Sequence, residues 1–289
     1  MDLEQKSIER IQFASEMSLH HYGKPLICTY SGGKDSDVML ELFRRSGVPF
    51  EVHHSHTTAD APQTVRHIQE IFRKLELQGI HCEIQMPTYK GERTSMWKLI
   101  PQKSMPPTRR VRYCCGILKE TGCENRFIAQ GVRWDESIKR REWGEISAPK
   151  KRLHVSVESI MSDNEYSRRV TEMCTLKNKM AVNPIVDWTH NDIWNFIQSE
   201  QIEVCALYQC GYDRVGCIGC PMAGRKGRLK GFADFPTYKR AYIRAFSKML
   251  EIITTKGKPT KWKSGEDVFN WWVEDKNIDG QISLDLEEN

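Results

Sequence analysis

Residues 26–36 read LICTYSGGKDS, an apolar run that passes through two glycines into polar residues. Residues 25–30 have the length and apolar content of a buried strand. Residues 37–45, DVMLELFRR, predict a helix that ends at Gly47. A strand that turns through glycines into a helix directs backbone N–H groups and the positive helix end at one place. The stretch therefore predicts an α/β domain with an anion site after its first strand.

The same alternation continues along the chain. Residues 50–54 and 81–85 predict two further strands with a helix over 62–75 between them, and residues 126–130 and 181–186 predict two more strands. Short, continuously apolar strands that alternate with helices indicate a parallel sheet with helices on both faces, a Rossmann-like α/β fold. Before the sheet, apolar spacing predicts an amphipathic helix whose buried side contains Leu3, Ile8, Ile11 and Met17.

The composition changes near residue 203, toward cysteine, glycine, arginine and lysine. Just before this change, Thr189 is a suitable cap for a helix that buries Ile193, Trp194 and Ile197. After it, helical spacing of apolar residues predicts a helical tail with core residues Tyr238, Tyr242, Phe246 and Leu250. We expect an α/β domain over residues 1–202 and a smaller, mainly helical, cysteine-containing region over residues 203–289.

Composition describes an ordinary globular protein, with 39% hydrophobic and 28% charged residues among 289. No apolar stretch is long enough to cross a bilayer, and the amino-terminal residues lack the apolar core of a signal peptide. We therefore expect a cytoplasmic protein with no membrane partner. The net charge of +5 is mild, but basic residues gather in runs at 103–112, at 139–141 with 150–152, and at 225–230. Such runs favour an anionic ligand, which charge alone does not identify.

The residues of the glycine loop, residues 31–36 (SGGKDS), suit phosphate binding. Gly32 and Gly33 let the backbone turn tightly and approach a ligand, and Ser31 and Ser36 add hydroxyl donors. Lys34 adds a charge that stabilises a developing anion. The spacing is neither the Walker pattern nor the dinucleotide fingerprint.

This loop resembles the pyrophosphatase loop of the adenine nucleotide α-hydrolase superfamily, and the chain over residues 25–245 resembles the phosphoadenosine phosphosulfate (PAPS) reductase family. The resemblance implies cleavage of ATP to AMP and pyrophosphate, with adenylation of a substrate. It implies catalytic roles for Lys34, Asp35, Arg133 and Arg140, with Asp35 as the Mg²⁺ ligand. It also implies an ATP site formed by Tyr30, Ser31, Gly32, Gly33, Lys34, Asp35, Ser36, Thr57, Gly131 and Arg133.

Two further segments carry this resemblance. Residues 131–140, GVRWDESIKR, are similar to a family signature of glycine, arginine, glutamate-serine and arginine, and paired guanidinium groups suit anion recognition. Residues 54–64, HSHTTADAPQT, keep the proline and threonine of a second family element. His54 occupies the position where the family usually has an acid, which leaves Asp60 as a substitute carboxylate at this segment.

The cysteines form the second informative pattern. Ten cysteines without a secretory signal indicate free thiols, metal ligands or catalytic groups. The adjacent pair Cys114 and Cys115 and the CxxC pair Cys217 and Cys220 fit an iron–sulfur cluster or zinc. Cys210 is an alternative to Cys115 as a ligand. We expect the other cysteines to be buried apolar residues: Cys28, Cys82, Cys123, Cys174 and Cys205.

The cysteine pattern resembles the cluster site of adenylyl-sulfate reductases and the ATP pyrophosphatase of bacterial DNA phosphorothioation. This resemblance implies a [4Fe–4S] cluster held by Cys114, Cys115, Cys217 and Cys220, with structural zinc as the alternative. Sulfonucleotide reductases carry a catalytic cysteine in a carboxy-terminal segment and usually lack the loop lysine. This chain has no cysteine after Cys220 and keeps Lys34. Both departures favour ATP cleavage coupled to sulfur transfer.

The expected partners follow from this interpretation. The acceptor is expected to be DNA or RNA, since basic runs flank both cysteine pairs. The same runs suit a sulfur-donor protein such as a cysteine desulfurase. The alternatives are an assimilatory PAPS or adenylyl-sulfate reductase, a sulfate adenylyltransferase subunit, and a non-catalytic nucleotide-sensing subunit.

Overall fold

The computed structural model describes residues 2–136, 171–174 and 179–274. Contacts divide the chain into two compact units. The first, here the sheet unit, comprises Met1–His56, Pro62–Met86 and Glu120–Val215; the second, here the cysteine unit, comprises Thr57–Ala61, Pro87–Lys119 and Gly216–Asn289. Each unit joins segments that are distant in sequence. The division expected from composition, at residue 203, stays a prediction.

The helices and strands are numbered in chain order. The strands are β1 (Leu26–Thr29), β2 (Phe50–Ser55), β3 (Cys82–Gln85), β4 (Thr88–Tyr89), β5 (Glu92–Arg93), β6 (Phe127–Ala129), β7 (Thr171–Cys174) and β8 (Lys179–Val182). The helices are α1 (Leu3–Tyr22), α2 (Lys34–Ser46), α3 (Pro62–Glu76), α4 (Met96–Lys103), α5 (Tyr113–Leu118), α6 (His190–Ser199), α7 (Gly224–Asp234), α8 (Pro236–Thr255) and α9 (Gly265–Glu274).

The sheet unit contains a six-stranded sheet in the order β3-β2-β1-β6-β8-β7. Neighbouring strands run parallel from β3 to β8, with Leu26 opposite Phe50 and Ile27 opposite Ile128. Only β7, at the edge, pairs antiparallel with its neighbour β8. The predicted parallel α/β fold is confirmed. The strand predicted over 181–186 was misplaced, because β8 ends at Val182 and the Val186 N–H then closes a turn on the Asn183 carbonyl.

One face of the sheet and the helices packed on it form the main core. Strand β1 contributes Leu26 and Cys28, and α2 contributes Val38, Leu42 and Phe43, all of them fully buried. Burial of each such large aliphatic or aromatic side chain contributes about 1.5–3 kcal/mol relative to exposure. This packing holds β1 and the start of α2 in register, and the glycine loop connects them.

Helix α1 also makes polar contacts with other segments of the sheet unit. The Arg10 guanidinium donates to both carboxylate oxygens of Asp187, at 2.6 and 3.0 Å, and the Ser7 hydroxyl accepts from the Trp188 indole at 2.9 Å. Thr189 caps α6 as predicted, accepting from the Asp192 N–H. Of the three residues predicted on the buried side of α6, Ile193 and Ile197 are buried, whereas Trp194 stays partly exposed.

The cysteine unit contains the β4–β5 hairpin and α4, α5 and α7 to α9. Its core is aromatic: the Tyr242 ring lies 4.8 Å from Trp272 and 5.6 Å from Phe232. The helical tail is confirmed as α8, with Tyr242 and Phe246 buried and Tyr238 and Leu250 partly exposed. Within the described part of both units, no helix combines the length and apolar character that a bilayer crossing requires.

Candidate functional site

The glycine loop joins β1 to α2 within the sheet unit. Gly33 is the N-cap of α2, with extended backbone angles, so the helix begins at Lys34, three residues earlier than predicted. Lys34, Asp35 and Ser36 therefore lie in its first turn. The first N–H groups of a helix lack partners within the helix, and its dipole favours negative charge there. The loop consequently has the local structure of a phosphate site.

Gly32 is required by both conformation and space. Its φ of +71° lies in the left-handed region, which disfavours residues with a Cβ atom. A Cβ at this position would lie 2.9 Å from Cγ1 of Ile68 and 3.2 Å from Cγ2 of Thr64. Helix α3 therefore packs directly against the backbone of the loop.

The Ser36 hydroxyl holds the loop in shape. It accepts hydrogen bonds from the N–H groups of Gly33, at 3.1 Å, and Ser31, at 3.3 Å, and donates to the Gly33 carbonyl at 2.7 Å. The Lys34 N–H donates to the hydroxyl of Tyr208 at 2.9 Å. Tyr208 was not among the predicted site residues, and no local signal could identify a partner 174 residues away in sequence.

Two buried cations converge on one carboxylate beside the loop. Lys34 Nζ lies 3.1 Å from Oδ2 of Asp35, and Arg133 Nε donates to its Oδ1 at 2.7 Å. Lys34 and Arg133 are only 5% and 3% exposed. A Cβ on Gly131 would lie 3.4 Å from the Asp35 carbonyl oxygen, so this glycine lets the strand-end segment approach α2. The structure thus brings together Lys34, Asp35, Gly131 and Arg133.

A buried polar group lies beneath the loop. The Tyr30 hydroxyl donates to Oδ1 of Asp37, and His67 Nε2 lies 3.1 Å from the same oxygen and 3.0 Å from the Tyr30 hydroxyl. Burial raises the pKa of Asp37 even though hydrogen bonds to His67 and Tyr30 oppose the shift. Burial and the Asp37 carboxylate raise the pKa of Tyr30, so its hydroxyl stays a donor. Sequence reasoning identified Tyr30 but missed Asp37 and His67.

Two further residues of the predicted nucleotide site, Thr57 and Arg140, stay predictions. Arg140 falls outside the described residues. Thr57 and the substitute carboxylate Asp60 belong to the cysteine unit, where the Thr57 N–H donates to Asp60 Oδ2 at 2.8 Å. His54 belongs to β2, and its ring Nδ1 lies 2.9 Å from the Tyr30 carbonyl oxygen, to which an ionised carboxylate would have no proton to donate.

All four predicted cluster ligands lie in the cysteine unit. Cys114 and Cys115 are in α5, and Cys217 and Cys220 precede α7. The pKa of the Cys114 thiol is raised by its hydrogen bond to Cys115, by burial, and by the fields of Cys115, Cys217 and Cys220. The four thiols are therefore within electrostatic range of one another. Burial raises the pKa of Cys217 to about 11, although Lys119 lowers it.

Hydrogen bonds and close packing both fix the conformation of the CxxC turn. The Cys220 N–H closes the turn on the Cys217 carbonyl at 3.2 Å, and the Ile218 N–H donates to the Ala59 carbonyl at 2.7 Å. Gly219 has a φ of +75°, and a Cβ there would lie 2.6 Å from Phe232. The Cys217 thiol donates to the Thr57 hydroxyl at 3.2 Å. The aromatic core and residues 57–61 together fix the thiols of this turn.

The other cysteines differ from expectation in part. Cys28 and Cys205 are buried as predicted, whereas Cys82 and Cys123 are only partly buried. Cys82 begins strand β3 and Cys123 lies in a loop, and each side chain stays partly exposed to solvent. The side chain of Cys174 lies outside the described residues. Cys210 is exposed in the sheet unit, and its charge helps to raise the pKa of the Cys205 thiol.

A parallel sheet whose first strand passes through a glycine loop into a helix defines a Rossmann-like α/β protein. The chain belongs to the phosphoadenosine phosphosulfate reductase domain family, whose model matches residues 25–223.

Relatives of this chain include proteins of several lengths. Two uncharacterized proteins of Methanocaldococcus jannaschii are 27% identical over 225 residues and 24% identical over 258 residues. These matches cover 74% and 87% of this chain but only 39% and 53% of those proteins. The chain therefore spans about two-fifths to one-half of their length. Adenosine 5′-phosphosulfate reductase of Geobacillus kaustophilus is 23% identical over 221 residues, which are 73% of this chain and 81% of that enzyme.

Solved structures with a similar fold include phosphoadenylyl-sulfate reductase from Candida auris. It has a TM-score of 0.45 and 15% identity, and the match covers 73% of this chain and 88% of that one. The NAD synthetase of Campylobacter jejuni has a TM-score of 0.43 and 12% identity, and covers 91% of this chain.

Proposed function

We propose that this protein is an ATP pyrophosphatase that adenylates a substrate, releases pyrophosphate and serves sulfur transfer. The observation that carries the proposal is the pair of buried cations, Lys34 and Arg133, beside the glycine-loop end of α2. Buried cations next to a helix N-terminus stabilise the negative charge that develops when pyrophosphate leaves. The Asp35 carboxylate pairs with both cations and balances one of their two positive charges.

The residues of the loop would take separate roles in this reaction. The acceptor's nucleophile attacks the α-phosphorus of ATP, the bond to the bridging oxygen breaks, and the electron pair leaves with pyrophosphate. The N–H groups of Gly32 and Asp35, which have no protein acceptor among the described residues, would bind phosphate oxygens together with the hydroxyl of Ser31. Lys34 and Arg133 would move from Asp35 toward these oxygens. Asp35, released from them, would hold Mg²⁺, which neutralises phosphate charge. Arg140 would hold the substrate side.

The cysteine unit would hold a [4Fe–4S] cluster through Cys114, Cys115, Cys217 and Cys220. Four cysteine thiolates are the usual ligand set of such a cluster, and all four belong to this unit. When bound, the cluster supplies iron sites for sulfur. Zinc stays the alternative.

The sulfur acceptor and donor are parts of the same proposal. The basic run at residues 103–112 precedes Cys114, and the run at 225–230 follows Cys220. Both would suit a nucleic acid backbone, DNA or RNA, as the acceptor. A sulfur-donor protein such as a cysteine desulfurase would supply the sulfur.

Analysis of the reaction products tests the proposed cleavage of ATP. The full chain is purified anaerobically, its visible spectrum is recorded, and it is incubated with ATP, Mg²⁺ and candidate acceptors. We expect AMP and pyrophosphate, and their loss by at least about 100-fold in Lys34→Ala, since Lys34 stabilises transition-state charge. Lys24→Ala, an exposed lysine near β1, is the matched control. ADP and phosphate as products, or an unaffected Lys34→Ala variant, would refute the proposal. A colourless protein that contains zinc would refute the cluster.

Reduction of a sulfonucleotide is the second candidate, favoured by the family match and by the similarity to adenosine 5′-phosphosulfate reductase. The two candidates give different products. Sulfite released from adenylyl sulfate or PAPS in the presence of a dithiol, without turnover of ATP, identifies a reductase. AMP and pyrophosphate formed from ATP identify a pyrophosphatase.

A further inference from the structure

One face of the sheet carries polar residues that the nucleotide and cysteine sites do not use. In β2, Glu51 and His53 alternate with Val52, which lies in the main core. In the neighbouring edge strand, Glu83 pairs with His53, and His81 precedes the strand in the same alternation. Parallel sheets are normally covered on both faces and apolar on both. Two histidines and two carboxylates on adjacent strands therefore call for an explanation beyond the fold.

These side chains are close enough to share an ion. One donor atom each from Glu51, His53 and His81 lie within 4.8 Å of one another. His53 Nε2 is 3.1 Å from Oε2 of Glu51, and the two imidazole rings are 6.2 Å apart and nearly perpendicular. Tetrahedral ligands at about 2.0–2.1 Å from a zinc ion lie about 3.3 Å apart. The carboxylate and the first imidazole already have nearly this separation.

The second nitrogen of His53 has the partner that a metal-bound histidine needs. Oε2 of Glu83 lies 3.4 Å from His53 Nδ1. A carboxylate on the outer nitrogen of a ligating histidine fixes its tautomer and turns the other nitrogen's lone pair toward the ion. His53 Nδ1 also lies 3.4 Å from the Gln85 amide nitrogen, so with its proton on Nε2 the ring donates to Glu51. The other tautomer, with its Nδ1 proton directed at Glu83, turns the Nε2 lone pair toward the Glu51 carboxylate, and these two acceptors can then share a cation.

We propose that Glu51, His53 and His81 form a binding site for a divalent transition-metal ion, with Glu83 orienting His53. Two imidazoles and a carboxylate suit zinc, cobalt or nickel. Arg126 also contacts Glu51, at 2.9 Å, and Glu83 lies beside His53, so these three side chains together carry one net negative charge, which favours a further cation. His53 is buried, whereas His81 is exposed beside the edge strand, which gives an ion access from solvent. The competitor for the position is the proton on Nε2 of His53.

A cobalt titration of the full chain, with its cysteine site loaded, tests the proposal. We expect one Co²⁺ per chain with ligand-field absorption and without thiolate charge transfer, displaced by Zn²⁺. His81→Ala removes an exposed ligand and should weaken binding by at least about 10-fold. Glu83→Gln keeps the shape of the side chain and should weaken it by about 10–100-fold, as outer-shell changes do. His21→Ala, an exposed histidine on α1, is the matched control and should bind Co²⁺ as the wild type does.

Each contrary result overturns the proposal. Absence of Co²⁺ uptake means that a proton, and not a metal, lies between His53 and Glu51. Equal affinity in the wild type and His81→Ala places the ion elsewhere. A thiolate charge-transfer band places it on cysteine.

Discussion

The Tyr30 hydroxyl donates a 2.5 Å hydrogen bond to Oδ1 of Asp37. Tyr30 immediately precedes the glycine loop and Asp37 immediately follows it. The two residues therefore close the loop into a ring beneath the bound phosphates' expected position, and His67 joins the ring to α3. The other oxygen of Asp37 is buried and has no hydrogen-bond partner among the described residues. The loop is thus supported by a buried carboxylate that, within the described part of the chain, hydrogen-bonds through only one of its two oxygens.

Tyr30→Phe should destabilise the protein. The substitution removes one of the two hydrogen bonds to Asp37 Oδ1 and leaves that of His67, and a typical hydrogen bond contributes about 0.5–1.5 kcal/mol. Urea unfolding followed by circular dichroism measures the change. Tyr22→Phe, at a partly exposed tyrosine of α1, should change stability by less than about 0.5 kcal/mol. Equal effects of the two substitutions would show that the contact adds nothing.

Asp37→Asn should change how stability depends on pH. Burial raises the folded-state pKa of Asp37 above its unfolded value of about 3.9. The wild-type carboxyl therefore contributes stability that is fully present below about pH 3.9 and is lost as pH rises through the folded pKa. The unfolding free energy of the wild type minus that of Asp37→Asn should fall as pH rises from about 4. Unfolding titrations across pH, repeated in a His67→Gln background, measure this; a difference that rises with pH contradicts it.

Gly32→Ala should abolish nucleotide binding and destabilise the protein. The positive φ costs an alanine about 1–2 kcal/mol, and the contact with Ile68 adds about 1–3 kcal/mol of overpacking. Gly47→Ala is a matched control, because Gly47 has a φ of +70° and open space around its Cβ position. Thermal unfolding should separate the two variants, and equilibrium dialysis with ATP measures binding. Equal destabilisation in both variants would mean that α3 yields to the added methyl group.

Gly219→Ala should release the ion or cluster from the cysteine unit. A Cβ at Gly219 would lie 2.6 Å from Phe232, 3.0 Å from Tyr242 and 3.1 Å from Trp272. These rings are buried, so the turn bearing Cys217 must shift, and ligand atoms out of place lose affinity. Gly257→Ala, with a φ of +65° and no neighbour, is the control. Iron, zinc and sulfide analysis after gel filtration measures retention; full retention in Gly219→Ala contradicts the expectation.

Much of the fold could be predicted from local patterns. The strand-glycine-helix sequence at residues 26–46 and the later apolar runs have periodicities that the backbone alone imposes. The β4–β5 hairpin, with strands of two residues each, has no such signal. The antiparallel strand β7 also escaped prediction, because its pairing depends on β8 and not on its own four residues.

Residues of the candidate sites could be predicted only where chemically distinctive side chains lie close together in the sequence. The loop residues and the four cysteines have adjacent, chemically distinctive side chains. Tyr208, His67 and Lys119 became visible only in the structure, since tertiary packing alone brings them to the loop or the thiols. The pairing of Asp35 with both cations likewise depends on Arg133, 98 residues further along the chain.

The discontinuous make-up of the cysteine unit has a consequence for biosynthesis. Thr57 meets Cys217 across 160 residues, and the Asp60 carbonyl meets Tyr238 across 178 residues. A ribosome that adds about 5–20 residues per second needs about 8–32 s to proceed from Thr57 to Cys217, and the contact between these two residues cannot form earlier. Cys114 and Cys115 therefore emerge well before Cys217. Loading of any ion onto all four thiols must wait until translation has passed Cys220, which makes maturation of this unit a late event.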